Sequence, residues 1–172
     1  MNIQRKEQEL LLALFPATKG VGFAVFEGSE MLVDWGVIYA RGERKNAQCL
    51  RRIRDQIAFY RPEIMVIGGR TRSRRAKRIG KLIDAISDVA LKESIATSFL
   101  SRVDVQDCFL HRRVRSKREI AETIARDFPE LAPRLPPLRR IWMSEDARMS
   151  IFDAVALGVT FFHKGLQKRR AA

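Results

Sequence analysis

Leu12–Gly28 reads LALFPATKGVGFAVFEG: an apolar run, a proline, a small polar stretch, and a second apolar run closed by glycine. Two apolar runs split by so few turn-type residues predict neighbouring antiparallel strands. Upstream the first run extends through Glu9–Leu14, ELLLAL. Pro16 has no backbone N–H to give a ladder, so the first strand is expected to end there. Downstream, Glu27-Gly28-Ser29 supplies a turn into Met31–Tyr39, MLVDWGVIY, which is rich in β-branched and aromatic residues. Residues 9–39 thus predict a three-stranded antiparallel meander.

Beyond it the period changes. In KNAQCLRRIRDQIAFY (45–60), Leu50, Ile53 and Ile57 fall at helical spacing, and Pro62 stops the helix. Glu63–Ile67, EIMVI, predicts a buried strand ending at Gly68-Gly69. A helix is expected from near Ser73, with Ile79, Leu82, Ile83 and Ile86 as its apolar stripe. Ser94–Leu100 is a weaker candidate for a fifth strand. Ser116-Lys117-Arg118-Glu119 has capping-box spacing ahead of Ile120, Ile124 and Phe128. Pro129, Pro133, Pro136 and Pro137 then predict an extended connector. Ser144 is expected to cap the last helix, with Glu145 and Asp146 against its positive end. Strands that alternate with helices after a meander indicate an α/β fold, a mixed sheet covered by helices. Residues 1–167 are expected to form one domain and 168–172 a frayed basic tail.

The chain has 172 residues and 46% hydrophobic composition, enough for a proper core. Two cysteines and two histidines make neither a disulfide framework nor a familiar zinc spacing, so no metal of that kind is expected. No apolar run reaches the ~20 residues of a membrane span. Met1–Glu9 lacks the order of a signal peptide, which makes cytoplasmic the default expectation; no membrane partner is expected, because Ile79, Leu82, Ile83 and Ile86 of the basic helix are needed for the core. Lys and Arg total 33 against 20 Asp and Glu, a net charge of +13 that favours a polyanionic partner.

That charge is clustered. Arg70, Arg72, Arg74, Arg75, Lys77, Arg78 and Lys81 follow Gly68-Gly69 without an intervening acid, at the sheet edge where α/β proteins bind ligands. Arg112, Arg113, Arg115, Lys117 and Arg118 form a second run. A solvated helix face is the plainer reading, but the arginine content and the edge position favour phosphate contacts. Trp142 reads as a packing residue that anchors the connector, with base stacking as the alternative. Trp35 reads as sheet core, His163 as a helix-terminal residue, and Cys49 and Cys108 as inert buried thiols.

LALFPATKGVGFAVFEG near the start and SEDARMSIFDAVAL (144–157) near the end, in this order of elements, resemble RuvC-type Holliday-junction resolvases of the ribonuclease-H-like superfamily. In that family the first strand typically continues into Asp-Pro-Gly and the last helix carries Asp-Ala-x-Ala-Leu; Asp153–Leu157, DAVAL, fits the latter. The resemblance implies a mixed five-stranded sheet with helices on both faces. It also implies a homodimer, and a carboxylate cluster drawn from strand one, the end of strand four and the final helix. Such a cluster holds two divalent ions, usually Mg²⁺, about 3.5–4 Å apart, on both sides of an in-line phosphodiester displacement.

The sequence departs from that pattern. Phe15 stands where the first-strand acid belongs, Gly68 and Gly69 where the strand-four acid belongs, and Ser150 one turn before Asp153. Asp153 and Asp146 remain as candidate catalytic acids. Seven positions apart, they drift by only ~20° on a helix and would share a face with Ser150. First-turn dipole partners are the plainer reading of Glu145 and Asp146. Asp34 on the third strand is a possible relocated ligand if it faces the same side.

Three functions follow. The first is a RuvC-like protein that binds branched or structured nucleic acid, DNA over RNA, with most of the nuclease site lost and no cofactor needed. The second is a Mg²⁺-dependent endonuclease with displaced carboxylates around Asp153. The third is a non-catalytic assembly protein for an acidic protein partner.

Overall fold

The computed structural model describes residues 9–69 and 77–171, with side chains through 165. Three antiparallel strands come first: β1 (Leu10–Ala17), β2 (Gly20–Glu27) and β3 (Met31–Tyr39). Helix α1 (Lys45–Tyr60), β4 (Ile64–Gly68), α2 (Lys77–Lys92) and β5 (Ala96–Leu100) follow. Helices α3 (Arg102–Leu110) and α4 (Lys117–Asp127), a 3₁₀ turn (Pro129–Arg134) and α5 (Met149–Ala171) complete the order. The sheet order is β3-β2-β1-β4-β5. β1 pairs antiparallel with β2 and parallel with β4, and β4 parallel with β5, so the sheet is mixed, as expected.

Strand alternation divides the core into two layers. Leu11, Ala13, Ala24, Phe26 and Val66 face α3, α4 and α5. Leu12, Leu14, Val25, Met65 and Ile67 face α1 and α2. Cys49, Ile53 and Ile57 are the buried stripe of α1, and Leu82, Ile83, Ile86, Val89 and Ala90 that of α2. Helix α5 lies close on the sheet because two glycines admit it. A Cβ on Gly22 would stand 2.0 Å from the Ser150 carbonyl oxygen, and one on Gly158 would stand 2.3 Å from the Phe26 ring.

Several local expectations need correction. β1 continues through Pro16, which pairs with Val21, to Ala17: β4 pairs with β1 only as far as Leu14, so at Pro16 the strand has become an edge, where a proline is tolerated. Helix α3 has no apolar stripe to announce it; its signal is the Ser101–Asp104 capping box, whose Ser101 side chain accepts from the Asp104 amide. The proline segment is not wholly extended, because Pro129 opens the 3₁₀ turn that buries Leu131. The final helix begins at Met149, so Ser144 is not its cap. His163 therefore lies mid-helix, and its ring stacks on His111 with centroids 5.3 Å apart. The Ser116–Glu119 capping box is present as the spacing predicts.

Candidate nucleic-acid interface

The parallel strands β1 and β4 end side by side, since Leu14 pairs with Ile67 and the next residues are Phe15 and Gly68. Over this carboxyl edge opens a cleft of about 430 Å³, lined among others by Phe15, Gly69, Lys117, Ile120, Asp153 and Leu157. A larger open depression of about 890 Å³ lies at the opposite edge, where α1 and α2 end among Arg54, Asp55, Lys92 and Glu93. Ligands of α/β sheets gather at the carboxyl edge, and the cleft there also holds the sequence-predicted acid.

Asp153 is projected into this cleft from the first turns of α5. The Lys117 ammonium, at the N-terminus of α4, lies 2.8 Å from Asp153 Oδ2. The same nitrogen is 2.8 Å from Glu145 Oε1 and donates to Glu145 Oε2 at 2.9 Å. It also sits over the Phe15 ring, 5.6 Å from the centroid. The buried Asp153 Oδ2 thus has the Lys117 ammonium as its ion-pair partner.

Burial pushes the Asp153 carboxyl up to about 6. Attraction to Lys117 opposes that rise and repulsion by Glu145 adds to it. For Lys117 the order reverses: burial lowers its pKa, but Asp153 and Glu145 outweigh burial and raise it. One ammonium thus holds two carboxylates that come from separate segments. No sequence spacing links Lys117, Glu145 and Asp153.

The neighbouring positions are occupied by hydrocarbon. A Cβ on Gly68 would stand 2.7 Å from Leu157 Cδ1 and 3.1 Å from Phe15 Cδ2, so the space for a strand-four side chain is filled. Ser150 is buried and donates to the Ala147 carbonyl at 2.6 Å. Asp146 lies before α5, not on its face: it accepts from the Arg148 amide at 2.9 Å and pairs with the Arg148 guanidinium at 2.7 Å. Those bonds from Arg148 hold its carboxyl below the usual range. Asp34 faces the other layer, accepting from Tyr60 of α1 at 2.5 Å, and cannot join Asp153. Among the described residues, no group of three His, Cys, Asp or Glu is placed to hold a metal ion. Asp153 and Glu145 both turn their carboxylates to Lys117, whereas a pair of divalent ions takes a dense set of oxygen donors.

The predicted cations divide into free and engaged. Lys77, Lys81, Arg113 and Arg115 are exposed. Arg78 is a structural residue, donating to Asn46 Oδ1 at 2.8 Å and to the Ala17 and Thr18 carbonyls at 3.1 and 3.2 Å. Arg112 is held by both carboxylate oxygens of Asp127. Arg70, Arg72, Arg74 and Arg75 lie outside the described residues. Sequence reasoning missed Lys19, in the β1–β2 turn, which donates to Ser144 Oγ at 3.2 Å and the Glu145 carbonyl at 3.0 Å. It also missed Arg102, which lines the cleft.

No protein-family model and no curated protein matches the chain. Solved structures do. Thermus thermophilus RuvC in complex with Holliday junction substrate superposes with a TM-score of 0.69 at 14% identity, over 92% of this chain and 96% of that one. The fold is RuvC-like. A second Thermus thermophilus RuvC structure gives 0.69 at 15% identity, over the same shares of both chains. The yeast mitochondrial Holliday junction resolvase Ydc2 gives 0.61 at 13% identity, over 95% of this chain and 82% of that one. The mixed five-stranded, ribonuclease-H-like sheet expected from the sequence is therefore present. No helix among the described residues is long and apolar enough to cross a membrane.

Proposed function

We propose that the protein binds branched or structured DNA across the carboxyl edge of its RuvC-like sheet, and that it does so without a metal ion or cleavage. The observation that carries this reading is the Lys117 ammonium held between Asp153 and Glu145 beside Phe15. A tethered monovalent cation can bridge two carboxylates and offset one of their charges, but it cannot activate water or clamp both oxygens of a displacement. The surrounding exposed cations, Lys77, Lys81 and Arg115, supply sequence-independent phosphate contacts with counterion release. A Holliday junction is the substrate named for one structural neighbour, and it supports the choice of branched DNA over RNA. A homodimer would present two such edges to opposed strands.

The test is binding of the full chain to four-way junction, duplex and single-stranded DNA, and to structured RNA, at several salt concentrations, with Mg²⁺ and with EDTA. Junction binding that weakens steeply with salt and is equal in both conditions is expected. Loss of binding to every nucleic acid would overturn the reading. Mg²⁺-dependent cleavage that disappears in Asp153→Asn would establish the endonuclease reading instead.

A further inference from the structure

The segment 137–143 carries four exposed apolar side chains in six residues: Leu138 is 75% exposed, Ile141 98%, Trp142 77% and Met143 49%. Single exposed apolar residues are ordinary, but a contiguous group marks an interaction surface. Trp142 is therefore not the packing anchor that its place beside the prolines suggests. The anchoring is done by others. Upstream, Pro136 is buried and its carbonyl accepts from the Arg118 guanidinium. Downstream, Lys19 fixes Ser144 and the Glu145 carbonyl, and the Glu145 carboxylate reaches Lys117 in the cleft. Between these anchors the chain turns, with the Met143 amide donating to the Arg140 carbonyl at 3.0 Å.

We infer that this loop is a base-stacking probe, in which Trp142 packs on the exposed face of a base at a branch point while Arg139 contacts a flanking phosphate. This rests on the DNA-binding reading and names the second contact surface it uses. The Arg140 guanidinium lies 5.5 Å from the centre of the Trp142 ring, which braces the indole and leaves most of it exposed. An aromatic ring beside arginines is the combination that holds unpaired bases without regard to sequence. The stretch Pro137–Ser144 contains two arginines and no acid. On a chain of net charge +13, a second copy would meet this loop with like charge, whereas a polyanion complements it. The loop is joined to the cleft through Glu145, so stacked base and bound phosphates would belong to one continuous surface.

Trp142 and Trp35 are the only tryptophans in the sequence, and Trp35 packs against the core, which makes the indole its own reporter. In a Trp35→Phe chain, titration with a four-way DNA junction should quench Trp142 emission to a plateau. Trp142→Ala should weaken junction binding by about tenfold, a typical loss for one stacked base, and Trp142→Phe should recover most of it. The salt dependence should keep its slope, because no phosphate contact is removed. Unchanged emission at saturation, or Trp142→Ala binding as the wild type does, overturns the inference while leaving the DNA-binding reading intact. So does a Trp142→Ala chain that changes from dimer to monomer in sedimentation with unaltered affinity per protomer, since the loop would then be a contact between copies. Wild-type protein that binds no DNA overturns both.

Discussion

Asp153→Asn is predicted to stabilise the protein at neutral pH, with the gain fading as pH falls below about 6 and gone below about 3.8. The carboxyl is raised from 3.8 to about 6, chiefly because burial penalises its charged form. At about 1.4 kcal/mol per tenfold change, that rise corresponds to about 3 kcal/mol between the protonated and ionised forms. The sign follows from linkage: a folded-state pKa above the unfolded value gives stability that is complete below pH 3.8 and is lost as pH rises through about 6. Asparagine imitates the protonated acid and cannot ionise. The difference in unfolding free energy between variant and wild type should therefore be small at pH 3, grow between about pH 4 and pH 6, and level off above pH 6 at up to about 3 kcal/mol in favour of asparagine. In a chain of this size that is roughly 6–12 °C in Tm. Urea unfolding of both proteins from about pH 3 to 8 measures it, and groups common to both cancel in the difference. A flat difference, or an asparagine variant less stable by 1 kcal/mol at pH 8, would refute the reasoning, because the ion pair with Lys117 would then outweigh burial.

Other perturbations probe the same edge. Lys117→Met leaves Asp153 without its counterion and should cost about 2–3 kcal/mol at pH 8 but much less at pH 5, where the carboxyl protonates; parallel melts at the two pH values check this. Gly68→Ala forces a methyl group against Leu157 and should cost about 1–3 kcal/mol, while the Gly68→Ala/Leu157→Ala pair should cost less than the sum of the single changes in a double-mutant cycle. Lys81→Ala should lower the salt slope of junction binding by about 0.9, whereas Arg112→Ala should leave it unchanged because Asp127 already occupies that guanidinium.

The parts of the fold legible in the sequence are those set by local rules. Alternation and turn residues delimit β2 and β3, helical spacing delimits α1, and Ser116 and Glu119 announce α4. Asp153 was visible because a carboxylate within FDAVAL must find a partner. What it finds was not visible, because Lys117 and Glu145 reach it only through the packing of α4 and of the segment before α5 on the sheet. The register that seats Phe15 beside Gly68, and Leu157 over both, is likewise tertiary. Asp146 misled because helical spacing was extended three residues before the helix begins. Within its basic run Lys117 looks like one more phosphate contact, yet it is the internal cation of the cleft. Trp142 misled in the opposite direction, since proline-rich connectors usually bury their aromatics.

Pairing acids with a lysine has a consequence for how such an edge meets DNA. Free carboxylates in a cleft repel a phosphate backbone, and metal ions ordinarily remove that repulsion. Here the single Lys117 charge offsets one of the two carboxylate charges of Asp153 and Glu145 from within the chain, which reduces that repulsion without a divalent ion. The most direct measurement is the Kd for a four-way DNA junction, taken with saturating Mg²⁺ and with EDTA at constant ionic strength, with the strands then resolved on a denaturing gel. Equal Kd values and intact strands in both conditions are predicted. Binding that requires Mg²⁺, or strands cut only in its presence and not by Asp153→Asn, would contradict the account.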